Sequence, residues 1–157
     1  MKTASPGPRI VGRTDLPSTR ESVSRARAKV RGWLGDSHPA IDDVVLVTSE
    51  LVTNAIRHSD ARTGDFIGLT VTATADVVQV EVRDPGSLFS GPHVRKEEEA
   101  EDGRGLLIVR EVSLAWGTRD HGRGLGRTVW CALRATPLPA DPESPADLDL
   151  VPEAAPE

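Results

Sequence analysis

Two segments, FIGLTVTA and VVQVEVRD, alternate apolar and polar residues over their whole lengths and are separated by only three residues. In an extended chain successive side chains point to opposite faces, so Ile67, Leu69, Val71 and Ala73 share one face, as do Val78, Val80 and Val82. So short a connection, containing Ala75-Asp76, predicts an antiparallel hairpin with one buried face. Asp84 has the same parity as the inward valines. A carboxylate at the end of a buried row costs free energy unless something pairs with it, so Asp84 is the first candidate site residue.

Helical periodicity flanks this hairpin. Val23, Ala26, Val30, Trp33 and Leu34 form one stripe after a possible cap at Ser18 or Thr19, and Gly35 stops the run. A second helix begins near Pro39, with Ile41, Val44, Val45, Thr48, Val52, Ala55 and Ile56 crowded on one side. Glu50, Asn54, Arg57 and His58 fall on another side, and Glu50 and Asn54 sit one turn apart. Arg9 to Leu16 reads as a short edge strand, Leu106 to Val112 as a helix, Leu114 to Thr118 as a strand, and Thr128 to Leu133 as the closing strand. A Gly-rich hairpin from Arg119 to Gly126 joins the last two strands. Helices gathered on one face of a mostly antiparallel sheet give an α+β two-layer sandwich.

The 157-residue chain suits one domain, but only 38% of it is hydrophobic. Both ends account for the deficit. Residues 1–8 lack an apolar pattern, and residues 137–157 are rich in Pro, Ala, Asp and Glu. Such compositions bury too little apolar surface to offset ordering entropy, so disorder is expected there, around a domain spanning 9–136. The tail carries Asp141, Glu143, Asp147, Asp149, Glu153 and Glu157 without a basic residue, which accounts for the net charge of -5 and leaves the domain near neutral. No basic face argues for nucleic acid. The basic residues between Arg20 and Arg31 read as a solvated helix face. Cys131, the single cysteine, lies in an apolar run and reads as a buried strand residue, excluding an intrachain disulfide. Trp33, Trp116 and Trp130 are assigned to core or near-core packing. No stretch is apolar enough for a signal peptide or a membrane span, so a cytoplasmic location is expected.

Four segments combine into a nucleotide chemistry. Asn54 offers an amide oxygen to Mg²⁺, which takes few protein ligands. Glu50 is placed to orient or deprotonate a nucleophile beside a γ-phosphate. Asp84 suits an amino group such as that of adenine, and Gly86 permits close backbone approach. Gly103 and Gly105 place N–H groups at a helix start that favours phosphate, with Arg104 adding charge and Leu106 opening the helix. Thr128 offers a hydroxyl to a water or to the base beside Asp84. Each segment alone has an ordinary reading: a solvated helix face, a turn, a loop end, a β-former. Their order and the intervening elements carry the weight.

That order resembles the GHKL (Bergerat-fold) ATPase superfamily, over about Leu16 to Leu133. ELVTNAIRHS resembles its N box, VEVRDPGS its first glycine box, EDGRGLLIV its second, and GRTVWCAL its closing strand. The nearest likeness is to the short single-domain branch of anti-sigma-factor serine kinases and stand-alone ATP-binding regulators of actinobacteria. The resemblance implies ATP and Mg²⁺, with Asn54 as metal ligand, Glu50 as general base and Asp84 as adenine contact. Gly86, Gly103 and Gly105 match the glycines of pocket and lid. It also implies a sigma factor or an anti-sigma antagonist protein as partner, and a possible homodimer. Two features depart from the pattern: Pro85 removes a backbone donor, and the lid is acidic at Glu97, Glu98, Glu99, Glu101 and Asp102. An ATP-sensing interaction module without phosphotransfer, and a scaffold that no longer binds nucleotide, are the competing functions. No helical hairpin with a phosphoacceptor histidine precedes the first helix, which disfavours a histidine kinase.

Overall fold

A computed structural model describes residues 7–58, 65–84, 107–122 and 125–135. The expectations for 1–6, for the lid and glycine boxes within 85–106, and for the tail from residue 136 lie outside these residues. The element order is β1 (Arg9–Pro17), α1 (Ser22–Leu34), α2 (Ile41–His58), β2 (Phe66–Ala73), β3 (Val77–Arg83), β4 (Ala115–Asp120) and β5 (Arg127–Arg134). Residues 107–112 are also helical. The strands form one antiparallel sheet in the order β1-β2-β3-β5-β4, so β5 inserts between β3 and β4. This is the α+β architecture expected from the sequence.

Strand alternation decides which side chains meet. Leu69, Val82 and Val129 form one row across the sheet, and Val71, Val80 and Cys131 form the next. All six are buried beneath α2, which packs on β2, β3 and β5. Each such side chain contributes roughly 1.5–3 kcal/mol when fully buried. On α2 the buried arc is wider than the sequence stripe, because Val47 and Leu51 join Val44, Val45, Thr48, Val52 and Ala55. Asp42 and Asp43 in the first turn complement the helix dipole, and the Ala40 N–H donates to His38 Nδ1 (3.1 Å) just ahead of it.

Three local expectations are corrected. α1 begins at Ser22 without a side-chain cap, not at Ser18 or Thr19. Residues 18–21 instead form a tight turn, with Thr19 N–H on Pro17 O (2.8 Å) and the Ser22 hydroxyl also on Pro17 O. Strand β4 runs from Ala115 to Asp120, farther than expected, because β5 supplies partners as far as Arg127. The tryptophans divide. Trp33 packs against the core, Trp116 remains 38% exposed, and Trp130 covers Gly117 on the sheet face away from α2. At the end of α1, Gly35 adopts φ 87° and returns its N–H to Arg31 O (2.8 Å), the stop its position in the sequence implied.

Cys131 is fully buried, and burial raises the pKa of its thiol, while the Ser113 hydroxyl 2.7 Å away pulls in the opposite direction. A raised pKa keeps the less reactive thiol form to higher pH. We expect the native chain to resist thiol reagents at mildly alkaline pH and to react fully in denaturant. Rapid native-state labelling, followed by absorbance, would show that β5 is not held in the sheet as described.

Candidate functional site

The site begins on α2. At about 100° per residue, Glu50 and Asn54 fall beside the buried arc rather than opposite it, next to Val47 and Leu51. Both are half-buried. The neighbouring hydroxyls are consumed inside the helix, with Thr48 Oγ1 donating to Val44 O (2.7 Å) and Ser49 Oγ to Val45 O (3.0 Å). Among the described residues, neither Glu50 nor Asn54 has a side-chain hydrogen bond or ion pair. Two half-buried polar groups one turn apart, with no described partner, are the fit a ligand needs.

The second part of the site lies where β3 ends. The Asp84 N–H donates to Arg127 O (2.9 Å), which prolongs the β3–β5 ladder by one residue. Asp84 Oδ1 in turn accepts the Arg127 N–H (3.3 Å). The carboxylate that the sequence placed on the costly side of the strand is thus half-buried and anchored by β5. α2, which carries Glu50 and Asn54, packs on this same β3–β5 pair.

Thr128 is buried and sits one residue beyond the partner of Asp84. Its ladder partners are Arg83 and Arg119, so alternation gives it the face opposite the inward valines. Its hydroxyl lies 2.7 Å from His121 Nε2. The sequence singled out Thr128 but not His121. The only signal was indirect: once Asp120 pairs with Arg127, residue 121 falls diagonally beside Thr128. The hairpin around them turns at Gly122 and Gly126, with φ of 104° and 90°, in the left-handed region where glycine is at home.

Gly86, Gly103, Arg104, Gly105 and Leu106 lie outside the described residues. The helical residues that follow them are fixed by Val109, which is fully buried, and by Val112 against the core. The structure therefore brings Asp84 and Arg127 together at one end of the β3–β5 pair, on which the helix carrying Glu50 and Asn54 packs. Thr128 instead turns to the opposite face with His121, so its hydroxyl does not stand beside Asp84 as the sequence reading expected. Among the described residues no group of three acidic, histidine or cysteine side chains could hold a metal by itself. The donor chemistry of Asn54 fits Mg²⁺ in the way that ion is commonly held, by one or two protein oxygens with phosphate and water completing the shell. No described helix is long and apolar enough to cross a membrane.

Comparison with known proteins adds one match. A family model described as a histidine kinase-like ATPase domain matches residues 16–131, more than half of the chain. No curated protein matches it.

Proposed function

The chain belongs to the histidine kinase-like ATPase domain family, whose description points to ATP as the ligand; from that premise we propose an ATP-dependent protein kinase that phosphorylates a serine or threonine on an anti-sigma antagonist protein. The observation that carries this reading is the Glu50/Asn54 pair, half-buried at the edge of the α2 core arc with no described protein partner. Asn54 would hold the Mg²⁺, which when bound neutralises charge on the phosphates. Asp84 would accept the adenine amino group, its position held by the Arg127 backbone. Glu50 would take the proton from the acceptor hydroxyl as its oxygen bonds the γ-phosphorus and the bond to the β-phosphate oxygen breaks, releasing ADP. This reading carries a cytoplasmic setting, a sigma factor as the second protein partner, and a homodimer as the working form.

Incubation with a cognate antagonist and ATP labelled on the γ-phosphate tests the transfer step. A labelled antagonist supports it. ATP-dependent binding of the antagonist without label would replace it with an ATP-sensing module, since a half-buried glutamate serves either role.

Titration calorimetry tests the ligand separately. Mg²⁺-ATP should bind the parent chain, and Asp84→Ala should weaken binding by about 10- to 200-fold, the usual range for one lost charge-assisted contact. Parent chain that gives no heat with millimolar nucleotide would leave only a non-binding scaffold of this fold.

A further inference from the structure

A second concave surface lies away from the site described, between β1 and α1. It is a groove of about 760 Å³ whose floor includes Leu16, Pro17 and the half-buried Trp33, and whose rim carries Arg25, Lys29 and Asp15. Arg25 and Lys29 are exposed and take part in no ion pair among the described residues, whereas Arg31 on the same helix is engaged by Asp36 at 3.3 Å. An apolar floor whose rim carries two exposed cations, Arg25 and Lys29, against the single carboxylate of Asp15 fits an acidic segment that also carries spaced apolar side chains.

The chain contains one such segment. Asp147-Leu148-Asp149-Leu150-Val151 alternates carboxylates with aliphatic residues, inside a stretch that has no basic residue. We propose that residues 147–151 occupy the β1–α1 groove of their own chain, with Leu148 and Leu150 against Trp33 and Leu16 and the aspartates beside Arg25 and Lys29. Extended chain alternates its side chains, so leucines can face the floor while aspartates face the rim. Ionic contacts at an exposed rim are weak singly, and the apolar floor supplies the rest of the affinity.

The linker is long enough. The described chain ends at Ala135, whose N–H bonds Asp76 O (2.8 Å) at the β2–β3 turn. From there the groove is three strand spacings across and several residues along β1, on the order of 25–30 Å. Residues 136–146 reach at most about 38 Å when extended. A tethered segment binds at high effective concentration, so an affinity too weak to detect between separate molecules suffices within one chain. Occupancy would cover the basic face of α1 and deny it to acidic protein partners.

A nitroxide on Ser144→Cys in the full-length chain tests this, because buried Cys131 is shielded from the label. Amide resonances of residues 14–17 and 25–33 should lose most of their intensity, and those of β4 should keep theirs. The effect should vanish with Asp147→Lys plus Asp149→Lys, and with Arg25→Glu plus Lys29→Glu, and return when all four changes are combined. It should also weaken near 1 M salt, where the screening length falls to about 3 Å. Broadening that is absent, spread evenly or centred elsewhere would overturn the proposal. So would broadening transferred to an isotope-labelled chain without the nitroxide, which would mean that a second copy is the occupant.

Discussion

Glu50→Gln should lower phosphoryl transfer to the antagonist by about 10²- to 10⁴-fold, the usual contribution of a positioned general base. The change keeps the size of the side chain and its capacity to accept hydrogen bonds, but an amide does not take up the acceptor proton. Glu50 is half-buried beside the α2 core arc and bonds to no other described side chain, so the substitution breaks no contact seen in the fold. Binding of Mg²⁺-ATP should stay within about threefold of the parent, because an interaction made only in the transition state does not appear in ground-state affinity. Asn54→Ala, one turn away, should behave in the opposite manner and lose nucleotide affinity first. Measuring rate and affinity on both variants separates the two roles. Undiminished labelling by Glu50→Gln would remove Glu50 as the base, whatever the fate of the ATP-binding reading.

The second large effect is on stability. Gly12→Ala should destabilise the domain by about 3 kcal/mol, the upper part of the range for overpacking a close contact. A Cβ at Gly12 would lie within the ring atoms of Trp33, so β1 meets α1 with no room for a methyl group. Gly12 lies beside an irregularity in the β1–β2 register and pairs with Val71, a fully buried core residue, so β1 is not free to retreat. Relief requires Trp33 to leave its place on the core or α1 to lift from both β1 and α2. For a domain of this size the melting temperature should fall by roughly 10–15 °C. Trp33→Leu should recover part of the loss when combined with Gly12→Ala, because the two changes share one contact and are therefore not additive. A melting temperature for Gly12→Ala equal to that of the parent would contradict the packing of α1 on β1. Gly68 makes a useful control on the neighbouring strand: a Cβ there meets only ordinary contacts near 3.6 Å, so Gly68→Ala should be far milder.

Particular elements show how far the sequence can be read. The parity of Val78, Val80 and Val82 was legible because a strand repeats every two residues. Asp84 continues the β3–β5 ladder one residue beyond them through its N–H on Arg127 O. The Glu50/Asn54 spacing was legible because a helix turn is a local quantity. The start of α1 was misjudged because Ser18 and Thr19 are both plausible caps, whereas the turn before the helix is held by Pro17, whose carbonyl accepts from both the Thr19 N–H and the Ser22 hydroxyl. Trp130 was assigned to core or near-core packing. Its place on the far face follows from its alternation with Val129 and Cys131, and its cover over Gly117 depends on β4 arriving there.

The sequence by itself determined the type and order of the helices and strands, the apolar side of each, and the positions of the polar exceptions Glu50, Asn54 and Asp84 along them, since periodicity and parity are properties of a few consecutive residues. Only the tertiary structure decided that β5 enters between β3 and β4, that Arg127 anchors Asp84, that His121 meets Thr128, and that Trp33 occupies the space over Gly12. Those contacts join residues far apart in the chain or depend on how whole elements dock. Their choice is made by the collective packing of the core, for which no local pattern in the sequence carries a signature.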